Sequence, residues 1–270
     1  MPEIAKEAAT QEILSLLSLR NASFSVDGKV LLHPIDLDIT AGKSIALIGH
    51  NGSGKSTLLK LLGRQQSPSS GSIYFHGKAL KDWNNLEFAR KLAYMPQRPP
   101  STPGMLVKEL VELGRYPWHG ALGRFSSLDK AKVEEAIELT GIGKFCNRMV
   151  DNLSGGERQR VWLAMLVAQD ASCLLLDEPI SALDIRHQID GMSLTEDLCH
   201  RKGISIITVI HDINMASRYC DEIIAIHSGR LIASGTPKEI MRPTVLKSIY
   251  DVDMEVSQHT SSSALFAMAV

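Results

Sequence analysis

The stretch from Ile45 to Leu59, IALIGHNGSGKSTLL, decides how the rest of the chain is read. Ile45-Ala46-Leu47-Ile48 is apolar without alternation, as expected of a strand buried on both faces. Gly49-His50-Asn51-Gly52-Ser53-Gly54-Lys55-Ser56 then fits the phosphate-loop pattern G-x-x-x-x-G-K-[ST]. Thr57 to Leu62 opens a helix. The glycines let backbone N–H groups curl around a phosphate, and the helix N-terminus adds partial positive charge. Gly49, Asn51, Gly52, Ser53, Gly54, Lys55, Ser56 and Thr57 are therefore the expected phosphate-binding residues. Lys55 is placed to reach the β- and γ-phosphates, and the Ser56 hydroxyl to ligate Mg²⁺.

A chain of 270 residues, 44% hydrophobic and 22% charged, can bury a core as one large domain or one domain plus a lobe. Its net charge of −1 gives no bulk drive toward nucleic acid or anionic membrane. Cys146, Cys173, Cys199 and Cys220 show no C-x-x-C spacing, so buried, reduced thiols are expected and metal ligation is not. The start, MPEIAKEAATQEI, lacks a basic region followed by an apolar one and does not read as a secretory signal. No apolar run approaches the roughly 20 residues of a bilayer span. If the chain serves a membrane, it is expected to do so from the cytoplasmic side, through a partner.

Residues 1 to about 14 read as a polar lead-in. Leu17 to Val26 favours a strand, Asp27-Gly28 a hairpin turn, and Val30 to Ile39 a second strand broken by His33-Pro34. Ser72 to Phe75 reads as a strand, Phe88 to Leu92 as a short helix, and a further strand ends at Tyr94-Met95-Pro96-Gln97. The breaker run Arg98 to Gly104 opens a separate lobe with helices at Leu106–Leu113 and Leu128–Leu139. Between them Tyr116, Trp118 and Phe125 sit in a Gly-rich loop, either packing the lobe or exposed as a protein contact. Apolar runs at 172–176 and 204–210 are buried strands, and 223–226 with 231–233 flank a closing hairpin. Strands alternating with helical segments predict a largely parallel sheet covered on both faces.

The run at 172–176 stops at Asp177-Glu178. Beside a phosphate loop, Asp177 is expected to hold Mg²⁺ through water, and Glu178 to face the attacking water as general base or orienter. Gln97, at a strand end, suits contact with Mg²⁺ or that water. His211 ends another strand at the sheet's carboxyl edge, where ligands of open α/β sheets bind. Ser154-Gly155-Gly156, leading into a helix at Val161–Ala168, makes a second anion-binding terminus. One nucleotide does not need two such sites in one subunit; two subunits head-to-tail would let each serve the other.

With the phosphate loop, Gln97, LSGGERQR (153–160), LLLDEP (174–179), Ser181-Ala182-Leu183-Asp184 and His211 in this order, the chain resembles the ATP-binding cassette family, specifically the nucleotide-binding subunit of an importer. The resemblance runs from about Leu17 to Ile240. LLHPIDL, IGHNGSGKSTLLK, GRYPWHGALGR, LVAQD and VIHDINMA resemble the branch that energises bacterial ferric hydroxamate siderophore import, related to those for cobalamin and haem. The resemblance implies ATP and Mg²⁺ as cofactors and an ATP-closed head-to-tail homodimer. In it Ser154, Gly155 and Gly156 would contact the ATP on the partner's phosphate loop, Asp184 would lie near the dimer axis, and His211 would bond the γ-phosphate. It also implies permease subunits gripped by the lobe, a periplasmic binding protein acting indirectly, no nucleic acid, and a peripheral place on the cytoplasmic face of the inner membrane.

The expected fold is α/β: a P-loop NTPase core with a mostly parallel sheet, an N-terminal antiparallel β subdomain and an inserted α-helical lobe. The domain is a single cassette over 1–270, with the lobe at about 98–160 and a short C-terminal extension from about 241. Two positions depart from the family pattern. Val26 stands where many cassettes place an aromatic under the adenine, with Phe24 two residues earlier. Ile180 stands where Thr usually follows LLLDEP.

Overall fold

The computed structural model describes residues 15–120, 123–181, 183–258 and 265–270. The polar lead-in, Ala121-Leu122 within the PWHGALGR segment, Ala182 and residues 259–264 lie outside the described residues.

Strands β1 (Ser15–Val26) and β2 (Lys29–Thr40) pair antiparallel around the Asp27-Gly28 turn, where both residues have positive φ. His33-Pro34 does not break β2. Ala22 pairs with Ile35 and Phe24 with Leu32, so β2 carries one residue more than β1 there, and the bulge absorbs the proline. After β3 (Ser44–Ile48) and α1 (Lys55–Leu62), β4 (Ser70–Phe75) and β5 (Lys78–Ala79) complete a four-stranded antiparallel sheet, β2-β1-β4-β5.

Helix α2 (Asn85–Ala89) starts where Asn84 accepts the Leu86 N–H, earlier than Phe88–Leu92. Leu92 instead opens β6 (Leu92–Met95). Helices α3 (Val107–Leu113), α4 (Tyr116–His119), α5 (Ser127–Thr140) and α6 (Gly155–Ala168) follow, then β7 (Cys173–Leu176). The aromatic segment expected as a loop thus contains a helical turn, with Pro117 in its first turn. Helix α6 begins at Gly155, not Val161. The Ser154 hydroxyl accepts the Glu157 N–H (3.3 Å), and Glu157 accepts the Ser154 N–H (2.9 Å), a capping box that draws the glycines into the first turn.

Helix α7 (Ile185–Lys202), β8 (Ser205–Val209), α8 (Ile213–Tyr219) and the hairpin β9 (Glu222–His227) and β10 (Arg230–Gly235) complete the main sheet. Its order is β10-β9-β3-β8-β7-β6, parallel except for β10. Helices α9 (Pro237–Ile240) and α10 (Pro243–Tyr250) and the hairpin β11 (Met254–Gln258) with β12 (Leu265–Ala269) follow. Asn214 of α8 bonds both the N–H and the C=O of Ala267, fixing that hairpin to the body.

The continuous apolar runs follow from burial on both faces. Ile45 and Leu47 point into the core shared with the antiparallel sheet and α1, while Ala46 and Ile48 point among α8, α9 and α10. Leu174 and Leu176 meet α3, α5 and α6 on the far side. Every parallel strand therefore ends at one edge, above which β3, β6, β7 and β8 deliver Gly49, Gln97, Glu178 and His211.

The helical region is held by a buried ion pair. Arg115, almost fully buried, donates to Asp129 Oδ1 and to the Ala168 carbonyl, each at 2.8 Å, joining α4, α5 and the end of α6. Burial alone would raise the Asp129 pKa, but the Ser126 hydroxyl and amide and the Arg115 guanidinium override it and hold the carboxyl at about 2. This contribution is present above the ordinary carboxylate range and is lost as the pH falls toward 2. Arg115→Ala leaves that charge buried and unpaired, and should cost about 3–5 kcal/mol in urea unfolding at neutral pH. Arg115→Met with Asp129→Leu should cost less than the sum of the single variants, because neither charge is then stranded.

Candidate active site

The phosphate loop is shaped by backbone contacts that exclude side chains. Gly49 leaves β3 at φ 142°, and a Cβ there would lie 2.0 Å from the Ile226 carbonyl of β9. Gly54 has φ 106° and is hemmed in by Leu31 and Leu32. The Gly229 N–H in the β9–β10 turn donates to Ser53 O (2.8 Å), and His33 N–H donates to Gly229 O (2.8 Å). The bulge in β2, the closing hairpin and the loop thus brace one another. Lys55 bends back, its ammonium donating to Gly49 O (2.8 Å) and His50 O (2.9 Å). Burial lowers its pKa, opposed by the Glu178 and Asp177 carboxylates.

Opposite the loop, Ser56 donates to Asp177 Oδ1 at 2.8 Å, and Tyr94 OH to Oδ2 at 3.4 Å. Glu178 sits at φ 51°, a strained setting for a non-glycine residue, and its carboxylate is gripped from two sides. Gln97 Nε2 donates to Oε2 at 2.7 Å, and His211 Nε2 lies 2.9 Å from Oε1. Three residues far apart in sequence are therefore gathered at one point. Together with Leu31, Asn51, Gly52, Gly54, Lys55, Ser56 and Thr57 they line an open cleft of about 450 Å³. Gly49 and Ser53 are not among its lining residues; they hold the loop against β9 and the β9–β10 turn.

Ser154, Gly155 and Gly156 do not line this cleft; Ser154 and Gly155 are exposed at the start of α6. Asp184 caps α7 by accepting the His187 N–H, and its carboxylate is also 2.9 Å from His187 Nδ1. Val26 is exposed at the end of β1, and Phe24 packs partly buried against the core. Leu31 is the apolar residue that lines the cleft; alternation from Ile35, Leu37 and Ile39 would have placed it in the core, but the bulge shifts the pattern by one, burying Leu32 and turning Leu31 outward. Ile180 is buried beside Met192 and Gly191, so its methyls fill core space at the root of α7. Trp118 divides the two readings of the aromatic segment. Its indole donates to Gln169 O (2.7 Å) and stacks under Arg90 and Arg115, while Tyr116 and Phe125 stay about half exposed.

Residues 32–181 match the ABC transporter family model, and the chain belongs to that family. It is 39% identical over 243 residues to the achromobactin transport ATP-binding protein of Dickeya dadantii, covering 90% of each. It is 37% identical over 243 residues to the iron(3+)-hydroxamate import ATP-binding protein of Bacillus subtilis, again covering 90% of each. Among solved structures it resembles the dimeric, post-hydrolysis ATP-binding cassette MJ0796 bound to ADP and Pi, with a TM-score of 0.70 and 27% identity over 82% of this chain and 98% of that one. Like other members of the family, the chain binds ATP and is an ATPase. Among the described residues no helix is long and apolar enough to cross a membrane.

Gly49→Ala tests the loop's backbone. A methyl group cannot share space with the Ile226 carbonyl, and positive φ adds about 1–3 kcal/mol of strain. The variant should melt lower and lose ATP binding by equilibrium dialysis; unchanged affinity and melting would refute the close approach.

Proposed function

We propose that this chain is the ATPase subunit that energises import of iron(III)-hydroxamate siderophores, held peripherally on the cytoplasmic face of the inner membrane. It works as a head-to-tail homodimer with ATP at the interface, bound to transmembrane permease subunits that a periplasmic binding protein supplies with cargo. The observation that carries the reading is the Glu178 carboxylate clamped between Gln97 and His211 at the mouth of a phosphate cleft. The 37% and 39% identities to siderophore-transport ATP-binding proteins support the cargo class.

Glu178 accepts a proton from the attacking water or orients it, with Gln97 and His211 fixing the carboxylate's aim. Lys55 turns its ammonium from the loop carbonyls to the β- and γ-phosphates, and His211 donates to the γ-phosphate. The donor set fits Mg²⁺. The Ser56 hydroxyl donates its hydrogen bond to Asp177, which leaves its oxygen lone pairs free for a hard cation, and the Gln97 amide would supply a further oxygen. Bound there with ATP, the ion would neutralise charge on the β- and γ-phosphate oxygens. Ser154, Gly155 and Gly156 serve the partner's nucleotide, which accounts for a helix N-terminus exposed outside its own cleft. Residues 1–270 form one cassette. Its lobe, at about 98–160, turns Tyr116 and Phe125 to the permease, and its extension starts at about 241.

Cells lacking the gene should lose uptake of radiolabelled ferric hydroxamate, with cobalamin uptake unchanged, and wild type should restore it. Glu178→Gln should not restore it. The purified variant should turn over about 10²–10⁴-fold more slowly yet still dimerise with ATP by gel filtration. Turnover near wild type would overturn the role of Glu178; loss of cobalamin uptake alone would reassign the cargo.

A further inference from the structure

At the sheet edge opposite the phosphate loop, α7 ends beside the first residues of β3 and β9. There Cys199, His200 and Asp221 each turn a ligand atom to a common point, with all three atoms within 4.8 Å of one another. Their supports come from separate elements. Cys199 is fully buried, its S–H directed at the Gly42 carbonyl 3.6 Å away in the turn before β3. Asp221 Oδ2 accepts the Ser44 N–H at 2.8 Å, which fixes the carboxylate. His200, half exposed, brings Nε2 to 3.2 Å from both Asp221 oxygens.

A hydrogen bond between His200 and Asp221 accounts for two of these groups, while the Cys199 sulfur makes only a long contact to the Gly42 carbonyl. The neighbouring cations are engaged elsewhere: Lys43 with Glu222, Arg201 with Asp197 and Lys202 with Glu135. Negative charge gathers round the sulfur. Burial first, then the Asp221 and Glu196 carboxylates, push the Cys199 thiol up to about 11. The carbonyl end of α7 adds its partial negative charge. Such a setting disfavours a bare thiolate and favours a cation beside it.

We propose that Cys199, His200 and Asp221 bind a borderline divalent transition-metal ion of the Zn²⁺ kind, with one sulfur, one nitrogen and one oxygen ligand and a fourth position open to solvent. This mixed donor set suits tetrahedral Zn²⁺ and disfavours Mg²⁺ or Ca²⁺, which take oxygen ligands. Bonds of about 2.0–2.3 Å place tetrahedral ligands roughly 3.5 Å apart; His200 and Asp221 already stand at 3.2 Å, so binding must draw the Cys199 sulfur and this pair together by at most about 1.3 Å. The thiol proton leaves to solvent as the Cys199–metal bond forms. The ion would staple the end of α7 to the starts of β3 and β9, away from the nucleotide. Its effect is on stability, and it does not depend on the reading of the phosphate cleft. The sequence carries the hint only in the adjacent pair Cys199-His200, with Asp221 some twenty residues on, and not in C-x-x-C spacing.

The test uses the full chain, reduced, chelator-treated and free of nucleotide, titrated with Co²⁺ as a spectroscopic stand-in. One equivalent should give a near-ultraviolet thiolate-to-cobalt charge-transfer band, and Zn²⁺ should displace it and raise the melting temperature. Cys199→Ala should abolish the band, His200→Ala should weaken binding at least about tenfold, and Cys220→Ala should leave it intact. Absence of the band in folded wild type, or its survival in Cys199→Ala, would overturn the proposal. Should Cys199→Ala not fold, undiminished affinity in His200→Ala, altered at a half-exposed side chain, would overturn it equally.

Discussion

At Gly49 the chain leaves the central strand and passes so close to β9 that no side chain fits between it and the Ile226 carbonyl. That approach sets the path of the next five residues, and the Ser53–Gly229 and Gly229–His33 hydrogen bonds hold it from the other side. With the backbone so constrained, Lys55 and Ser56 must start α1 facing the strand ends that carry Asp177 and Glu178. The sheet supplies the rest, since parallel strands all finish at this edge. The position of the cleft is a consequence of strand direction, and the side chains refine it.

The electrostatics of the cleft follow from its burial. Lys55 is held where burial opposes its charge while two carboxylates favour it, so an arriving polyphosphate strengthens what those carboxylates already do. Glu178 stays in a strained backbone conformation with partners on both oxygens. Strain kept in place by two side-chain contacts is a usual mark of a functional position. Ile180, two residues along, takes the other course and is absorbed into the core beside Met192.

The central strands were legible because burial on both faces leaves uninterrupted apolar runs, as at Ile45–Ile48 and Leu174–Leu176. The phosphate loop was legible because its glycines are required at fixed spacing. Features made by distant partners were not. The bulge at His33-Pro34 depends on register with Ala22 and Phe24, and the turn at Tyr116–His119 is held by Arg115 before it and Trp118 within it, bonded to Ala168 and Gln169 some fifty residues on. The early start of α6 was visible in principle, since Ser154 and Glu157 form a capping box in the sequence itself. The C-terminal hairpin was hidden because it is held to the body through Asn214.

The central claim is that each nucleotide is completed by Ser154, Gly155 and Gly156 of a second subunit, and mixed dimers test it most directly. In a Glu178→Gln background, one subunit would carry Lys55→Ala and its linked partner Gly155→Asp, whose Cβ meets nothing nearer than Leu183 at 3.6 Å. Head-to-tail sharing confines both defects to one site, so this dimer should trap one ATP. A dimer with both substitutions in one subunit and none in the other spoils both sites and should trap none. The reverse outcome, one ATP trapped in the second dimer and none in the first, would place Lys55 and Gly155 at the same nucleotide within one chain and contradict the account.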